Sequence, residues 1–365
     1  MKFSASRESI LKPLQAVIGV VERRQTMAIL SHVLLRIDKD KLSITATDLE
    51  VELVADTAVD SAVAGEVTVP GRKFYDICRA LPEGCKVEVS LSGDRLTLKA
   101  GRSRFTLSTL QAADYPTVDE IVGEHSLDVA QTNLHWLIDK TQFSMAQQDV
   151  RYYLNGLLLE SEGKHLRAVA TDGHRLALAE IELAGAAKKN EQVIVPRKGV
   201  LELNRLLDDE GDLTVVLGSN HIRVDCEGVR LTSKLIDGRF PDYDRVIPEK
   251  AANVIKADRE LLRHALQRIG ILSNEKYRGV RLELDNGSVT ISANNPDQEE
   301  ATETIELEYQ GEKMEIGFNV NYLLEALGAA DSEEVELHIT DSNSSCLIVS
   351  PEIDRAKYVV MPMRL

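Results

Sequence analysis

Three short sequence markers recur in the same order along the chain, each copy about one third of the chain after the last. The first marker, Thr47-Asp48-Leu49, returns as Thr171-Asp172-Gly173 and, altered, as Asn294-Asn295-Pro296. The second marker is a strand that runs into a helix, and its three copies lie at 67–73, 193–198 and 314–319. The third marker closes each repeat, at 114–116, 239–241 and 360–362. Because the period far exceeds the 20–50 residues of solenoid units, each repeat is predicted to be a domain.

The length of the chain agrees with this division. A chain of 365 residues exceeds the size at which single hydrophobic cores stop growing, and domains of about 120 residues are of common size. Polar stretches near residues 124 and 250 are the natural boundaries. We therefore predict domains at 1–124, 125–250 and 251–365.

Each repeat reads as helix, strands, helix, strands. In the first repeat Ile10, Leu14 and Val17 fall on one helical stripe, and alternating segments such as 42–46 and 87–91 are typical of strands. Helices are predicted at 6–18, 72–81, 131–146, 197–207, 258–270 and 320–329. With about eight short strands per repeat, the fold class is α+β, with sheets that carry the helices on one face.

Composition excludes several classes of protein. The 43% hydrophobic and 28% charged content is that of an ordinary soluble protein. The four cysteines form no C-x-x-C pair and no metal-ligand spacing with histidine, so we expect no disulfide, no metal site and no cofactor. The N-terminus has no signal-peptide core, and the longest apolar stretch is too short to span a bilayer. We predict a cytoplasmic protein.

Charge leaves two interpretations open. The net charge of −16 argues against generic nucleic-acid binding, which needs local positive potential. The six predicted helices together are mildly basic, so the negative charge lies elsewhere in the chain. Such a protein could present all its helices to DNA, or its exposed helix faces could simply carry Lys and Arg.

An enzyme is disfavoured. Asp172 and His174 with a nearby Ser or Cys could form an acid–base or nucleophilic set. No G-x-S-x-G elbow, Walker loop, HExxH or dinucleotide-binding fingerprint is present in the sequence. Because Asp48 and Asp172 are equivalent in the repeat, a shared turn explains them better than catalysis.

From end to end the chain resembles one family, the bacterial replicative sliding clamps, which are the β subunits of DNA polymerase III. The segments that carry the resemblance are 148–156 (QDVRYYLNG), 170–176 (ATDGHRL), 237–243 (DGRFPDY), 271–276 (ILSNEK) and 358–365 (YVVMPMRL). The resemblance implies a non-catalytic processivity factor. It also implies a head-to-tail homodimer, a six-domain ring with helices lining the hole and sheets forming the outer wall.

The resemblance also implies residue roles in DNA binding and ring closure. A ring that slides reads no sequence and needs only weak phosphate contacts with double-stranded DNA. The candidate DNA-binding residues are Arg24, Arg72, Lys73, Arg79, Gln148, Tyr152, Tyr153, Arg197, Lys198 and Arg205. The candidate dimer contacts are Phe105 and Leu107 against Ile271 and Leu272. Each basic candidate can also be read as an ordinary solvated helix residue.

By the same resemblance, short Gln/Leu/Phe motifs of the polymerase III catalytic subunit, the clamp loader, other polymerases and repair proteins enter an apolar pocket beside the C-terminus. The matching residues are Leu154, Thr171, Gly173, His174, Arg175, Leu176, Pro241, Arg245, Val246, Tyr277, Asn319, Tyr322, Ser345, Val359, Val360, Met361, Pro362, Met363 and Arg364. Flexible methionines suit a site that accepts several peptides. Two residues depart from the family pattern: Asn343 replaces an apolar residue, which implies a more polar rim, and Ala28 replaces a proline. A peptide-binding scaffold that never meets DNA is the remaining alternative, and retention on circular duplex distinguishes the two.

Overall fold

The first repeat has nine strands and two α-helices within the residues that the computed structural model describes, which are 1–21, 27–118, 125–187, 189–248, 251–351 and 353–364. The strands are β1 (Lys2–Ser6), β2 (His32–Asp38), β3 (Lys41–Thr47), β4 (Val51–Ala58), β5 (Asp60–Val63), β6 (Gly65–Pro70), β7 (Lys86–Ser92), β8 (Arg95–Ala100) and β9 (Ser103–Ser108), and the helices are α1 (Arg7–Val17) and α2 (Gly71–Ala80). The Ser6 hydroxyl accepts a hydrogen bond from the Ser9 N–H and so caps α1. The apolar stripe of α1 is buried against β3 and β4.

The second and third repeats follow the same order. The second contains β10 (His125–Ala130), α3 (Gln131–Thr141), β11 (Gly156–Glu162), β12 (His165–Thr171), β13 (Arg175–Glu182), β14 (Glu191–Pro196), α4 (Arg197–Leu206), β15 (Asp212–Leu217), β16 (His221–Cys226) and β17 (Val229–Lys234). The third contains β18 (Asn253–Asp258), α5 (Arg259–Gly270), β19 (Gly279–Asp285), β20 (Ser288–Asn294), β21 (Glu300–Glu306), β22 (Met314–Asn319), α6 (Val320–Ala329), β23 (Glu334–Ile339), β24 (Cys346–Ser350) and β25 (Ile353–Val360). The predicted α+β class and three-domain repeat are confirmed.

One predicted helix is too long. The expected helix over 131–146 ends at Thr141 and continues only as a 3₁₀ turn at Gln142–Ser144. The Thr141 hydroxyl donates to the Leu137 carbonyl oxygen at 2.6 Å, and the backbone of Thr141 leaves helical geometry with φ of −130°. The apolar periodicity carried the prediction past this point.

The repeated Thr-Asp marker builds the same turn in the first two repeats and a related turn in the third. Asp48 Oδ1 accepts hydrogen bonds from the backbone N–H groups two and three residues later, at 2.9 and 2.8 Å. Asp172 Oδ1 does the same at 2.9 and 3.1 Å. In the altered copy Asn295 Oδ1 accepts from the N–H groups two and four residues later. The shared turn expected for Asp48 and Asp172 is therefore confirmed.

Adjacent repeats share sheets. One eight-stranded sheet has the order β10-β15-β16-β17-β4-β3-β2-β6, so its middle is the antiparallel pair of β17 from the second repeat with β4 from the first. A second has the order β14-β11-β12-β13-β25-β24-β23-β18, with the pair β13–β25 at its middle. Two smaller sheets remain within single repeats, β5-β1-β7-β8-β9 in the first and β21-β20-β19-β22 in the third.

This sharing divides the central repeat between two compact units. The first unit comprises residues 1–134 and 198–235, and the second comprises 135–197 and 236–365. The predicted boundaries at 124 and 250 lie outside the described residues and stay predictions. Among the described residues, no helix is long and apolar enough to cross a membrane, and no three His, Cys, Asp or Glu side chains are grouped as a metal would require.

Candidate functional site

An apolar cavity of about 210 Å³ opens in the second unit, at the β13–β25 pair. Leu176 on β13 stands opposite Val359 on β25, and both are buried in one hydrophobic cluster. Beyond β25 the tail is held by the Met361 N–H, which donates to the His174 carbonyl oxygen at 2.9 Å. The residues that line the cavity are Arg151, Tyr153, Leu154, Thr171, Gly173, Arg175, Leu176, Pro241, Tyr243, Val246, Val359 and Met361.

One wall of the cavity is fixed by the buried phenol of Tyr243. Its hydroxyl donates to the carboxylate of Glu160, and Arg167 approaches the same carboxylate at 3.7 Å. Burial, reinforced by the hydrogen bond to Glu160, raises the pKa of Tyr243 well above its ordinary value. The ring therefore stays neutral and fixed, with its apolar face on the cavity.

Arg175 places a guanidinium at the cavity, and neighbouring carboxylates neutralise its positive charge. Its guanidinium lies 5.5 Å from the ring centre of Phe143 and 4.6 Å from that of Tyr322. It pairs with Asp172 at 3.1 Å and also with Glu325, and only 11% of its side chain is exposed. Stacked and paired on all sides, Arg175 acts as a rigid part of the wall.

The loop beside the cavity is ordered by one aspartate. Asp149 accepts two hydrogen bonds from the Arg151 guanidinium, at 3.0 and 2.9 Å, and one from the Arg151 backbone N–H at 2.8 Å. These contacts, the side-chain ones first, lower the pKa of Asp149 to about 2. Arg151 also covers Gly173, whose φ is +87° and whose added Cβ would lie 2.9 Å from the guanidinium. A side chain at this position would be strained by the positive φ and would have to displace the Arg151 guanidinium.

The structure brings nine of the predicted pocket residues to this one cavity. They are Leu154, Thr171, Gly173, Arg175, Leu176, Pro241, Val246, Val359 and Met361. Sequence reasoning missed Arg151 and Tyr243 as lining residues and assigned Tyr153 to DNA. All three stand in the segments 148–156 and 237–243 that carried the family resemblance, so the sequence contained the signal.

The other predicted pocket residues lie outside this lining. Tyr277, Met363 and Arg364 line a larger groove of about 800 Å³, which is mostly polar and belongs to the third repeat. Arg245 is exposed and pairs with Asp242 at 2.7 Å. The remaining ones are His174, Asn319, Tyr322, Ser345, Val360 and Pro362. Although the polar groove is larger, the smaller cavity has the buried apolar walls that a peptide side chain needs.

The predicted DNA-binding residues divide by how they are engaged. Lys73, Arg79, Gln148 and Tyr152 are exposed, and 57% of Tyr152 is accessible. The others are half-buried or tied to the protein, except that Arg24 lies outside the described residues. Tyr153, beside the cavity, and Arg197 are half-buried. Arg72 donates to the Val21 carbonyl oxygen, and Lys198 pairs with Asp48 at 2.5 Å. Arg205 donates to two carbonyl oxygens of α1.

The four predicted dimer contacts occupy two places. Phe105 and Leu107 lie on β9, the last strand of its sheet, where Phe105 is half-buried and Leu107 is buried. Ile271 and Leu272 follow α5 directly. Ile271 is 75% exposed, which is unusual for a large aliphatic side chain.

Comparison with known proteins gives one result over the whole chain. Three family models match in order: the N-terminal domain of the DNA polymerase III beta subunit at residues 1–119, its central domain at 128–242 and its C-terminal domain at 244–364. The chain is 54% identical to the beta sliding clamp of Pseudomonas aeruginosa and 51% identical to that of Escherichia coli K12, with 100% of each chain covered. The crystal structure of the Pseudomonas aeruginosa DNA polymerase III subunit beta matches with a TM-score of 0.98 at 53% identity, again over 100% of both chains.

The lowered pKa of Asp149 makes the loop sensitive to acid. Because the carboxylate is favoured in the folded loop, its stabilisation is complete at neutral pH and is lost as the pH falls from about 4 towards about 2. The Arg151→Ala variant should shift the Asp149 midpoint upward in a carboxyl NMR titration. Arg245→Ala, which removes the partner of Asp242 instead, should leave it unchanged. An unaltered midpoint in Arg151→Ala would contradict this assignment.

Proposed function

The chain belongs to the family of bacterial DNA polymerase III β subunits, and from that premise we propose that two copies close head to tail into a ring around duplex DNA. As a member of this family the protein is a DNA sliding clamp, a non-catalytic processivity factor in DNA replication. The ring, the residues that serve it and the named partners are the proposal.

The ring is inferred from two four-stranded half-sheets that have no partner half-sheet within the described part of the chain. Each junction between repeats joins a half-sheet of a first kind to a half-sheet of a second kind. In one junction the first kind is β10-β15-β16-β17 and the second is β4-β3-β2-β6. In the other the first kind is β18-β23-β24-β25 and the second is β13-β12-β11-β14. The strands β1-β7-β8-β9 are of the first kind and end at β9, while β22-β19-β20-β21 are of the second kind and end at β21. Pairing β9 of one copy with β21 of another repeats the existing junction, and in the proposed ring two chains pair in this way at both ends.

The register of this pair follows from the junction within the chain. Arg230 on β17 stands opposite Val54 on β4. From their positions in the flanking hairpins, Arg104 is the counterpart of Arg230, and Thr302 is the counterpart of Val54. Arg104 therefore stands opposite the partner's Thr302 in the proposed pair.

Charge supports the same pairing. Arg102 and Arg104 lie at the start of the β9 edge, and both are exposed. The β21 sequence EATETIE supplies three glutamates, of which Glu303 is already paired with Arg268 while Glu300 and Glu306 are exposed. Opposite charges on facing edges favour this partner, whereas two copies of either edge would repel each other.

The exposed helix residues support weak DNA contact. Lys73 on α2 and the Gln148–Tyr152 loop are accessible, whereas Lys198 and Arg205 are engaged within the protein. A few phosphate contacts hold a duplex without fixing its position, because phosphates carry no sequence information. Topology, rather than affinity, then retains the clamp.

The apolar cavity supports docking of partner proteins. Its walls of Leu176, Pro241, Val246 and Met361 suit the Leu and Phe side chains of a short motif. The partners proposed from the family resemblance are the catalytic subunit of DNA polymerase III, the clamp loader, and other polymerases and repair proteins. A cytoplasmic location belongs to the same proposal.

The ring is tested by weakening its closure. The double variant Ile271→Ala with Leu272→Ala should lose about 1–4 kcal/mol per central residue and give monomers at micromolar concentration. Leu261→Ala, which also truncates an exposed leucine of α5, should stay dimeric. Sedimentation equilibrium measures both, and an unchanged dimer in the double variant would place the interface elsewhere.

The peptide site is tested by two methionines of the same tail. Met361 lines the apolar cavity and Met363 lines the polar groove. Met361→Ala should weaken binding of a Gln-Leu-Phe-type peptide by about tenfold or more, because an anchor wall at a hot spot is worth about 2 kcal/mol. Met363→Ala should change the affinity little. Calorimetric titration decides, and the reverse order of effects would move the site to the polar groove.

Contact with DNA is tested by its salt dependence. Lys73→Ala should reduce the slope of log affinity against log salt by up to about 0.9 for one lost phosphate contact on duplex DNA. Lys99→Ala is the matched control, because Lys99 alternates with the buried Leu98 on β8 and points away from the core. Equal slopes for wild type and Lys73→Ala would mean that α2 does not face the duplex.

A further inference from the structure

Arg205 closes the end of a helix that belongs to a different repeat. Its guanidinium, on α4, donates to the carbonyl oxygens of Gln15, at 2.9 Å, and Ala16, both in the last turn of α1. It also pairs with Glu202 on its own helix at 2.8 Å. The last carbonyls of a helix have no partners within it and carry its negative dipole end, so a cation there satisfies both needs.

The first repeat contains a second arginine at the equivalent place. Helices α2 and α4 both have ten residues and both follow a strand that ends in proline. In this alignment Arg79 is the counterpart of Arg205, and Asp76 is the counterpart of Glu202. Within the described part of its own chain Arg79 caps no helix end: 63% of its side chain is exposed, with Asp76 3.7 Å away and the Tyr75 ring at 5.5 Å.

The third repeat contains a helix end that matches α1. Helix α5, like α1, follows a strand whose last side chain caps it, Asp258 in place of Ser6. The buried residues of the two helices correspond in spacing: Ile10, Pro13, Leu14 and Val17 in α1, and Leu262, Ala265, Leu266 and Ile269 in α5. The counterparts of Gln15 and Ala16 are therefore Gln267 and Arg268, and both are exposed.

We propose that Arg79 of each chain caps α5 of the partner chain, by donating to the carbonyl oxygens of the partner's Gln267 and Arg268. This inference rests on the proposed ring, in which pairing of β9 with β21 brings α2 beside the partner's α5 as α4 lies beside α1. Arg79 is then an interface residue rather than a DNA-binding one.

Side-chain size supports the same contact. A Cβ added to Gly19, just past α1, would lie 2.3 Å from the carboxylate of Glu202. At the proposed junction the acid is Asp76, one methylene shorter, and the counterpart of Gly19 is the exposed Ile271. Within the chain the longer acid, Glu202, faces a glycine, whereas at the proposed junction the shorter acid, Asp76, would face Ile271. The isoleucine side chain would occupy the space that Glu202 fills within the chain.

Charge does not oppose the contact. The partner's Arg268 would bring a second guanidinium near Arg79, but in this chain Arg268 is turned to Glu303, with its Nε 3.0 Å from the carboxylate. That pairing raises the pKa of Arg268 and lowers that of Glu303. The side-chain charge is thus neutralised locally. The Arg268 carbonyl oxygen already accepts from the Ile271 N–H at 3.3 Å, so Arg79 would use its second lone pair together with the Gln267 carbonyl oxygen.

The test separates dimer affinity from DNA binding. Arg79→Ala should raise the dimer dissociation constant by about tenfold, the effect of losing a charged hydrogen-bond donor, and should leave the salt slope of duplex binding unchanged. Arg79→Lys, with one compact donor in place of the guanidinium fork, should fall between. Arg205→Ala, which removes the equivalent cap inside one chain, should lower the melting temperature without changing the dimer constant.

Three outcomes would overturn the inference. A wild-type dimer whose dissociation constant is unchanged by Arg79→Ala rejects the cap and leaves the ring standing. A reduced salt slope with an unchanged dimer constant rejects the cap and assigns Arg79 to DNA. A wild-type protein that stays monomeric at all concentrations rejects the ring and the cap together. Sedimentation and fluorescence-anisotropy titrations on the full-length protein supply both measurements.

Discussion

The antiparallel pairing of strands from adjacent repeats is the interaction on which the rest of this structure depends. β17 with β4, and β25 with β13, turn four-stranded half-sheets into eight-stranded sheets, so edges that would be exposed become sheet centres. A single repeat therefore leaves the edge strands of its half-sheets unpaired. The same rule leaves β9 and β21 as complementary edges, which is the physical reason to expect a second copy.

The apolar cavity is a product of the same pairing. Leu176 and Val359 meet only because β13 and β25 are neighbours, and Met361 is held because the tail continues past that pair to the His174 carbonyl oxygen. Tyr243 and Arg175 then stiffen the walls from either side through their hydrogen bonds and ion pairs. A preformed apolar site of this kind loses little entropy when a flexible peptide enters it.

Sequence predicted the parts whose signals are local. The Thr-Asp marker forms a turn through its own carboxylate, and the apolar stripes of α1 and α5 follow helical spacing, so both can be predicted from neighbouring residues alone. The cavity residues came from family resemblance, since nothing in the spacing of Leu154, Pro241 and Met361 brings them together. The engagement of Lys198 with Asp48 and of Arg205 with α1 could not be predicted, because each contact joins residues far apart in the chain.

A disulfide across the proposed junction tests the central claim most directly. Residues directly opposite in an antiparallel pair have Cα atoms about 4.5–5.5 Å apart, within disulfide range. Arg104→Cys with Thr302→Cys should therefore give, on oxidation, a covalent dimer closed by two bonds and no larger species. Arg104→Cys with Ala301→Cys, one residue out of register and on the opposite face, should cross-link poorly. Monomers, equal cross-linking of the two variants, or a ladder of higher multimers would contradict a two-chain ring.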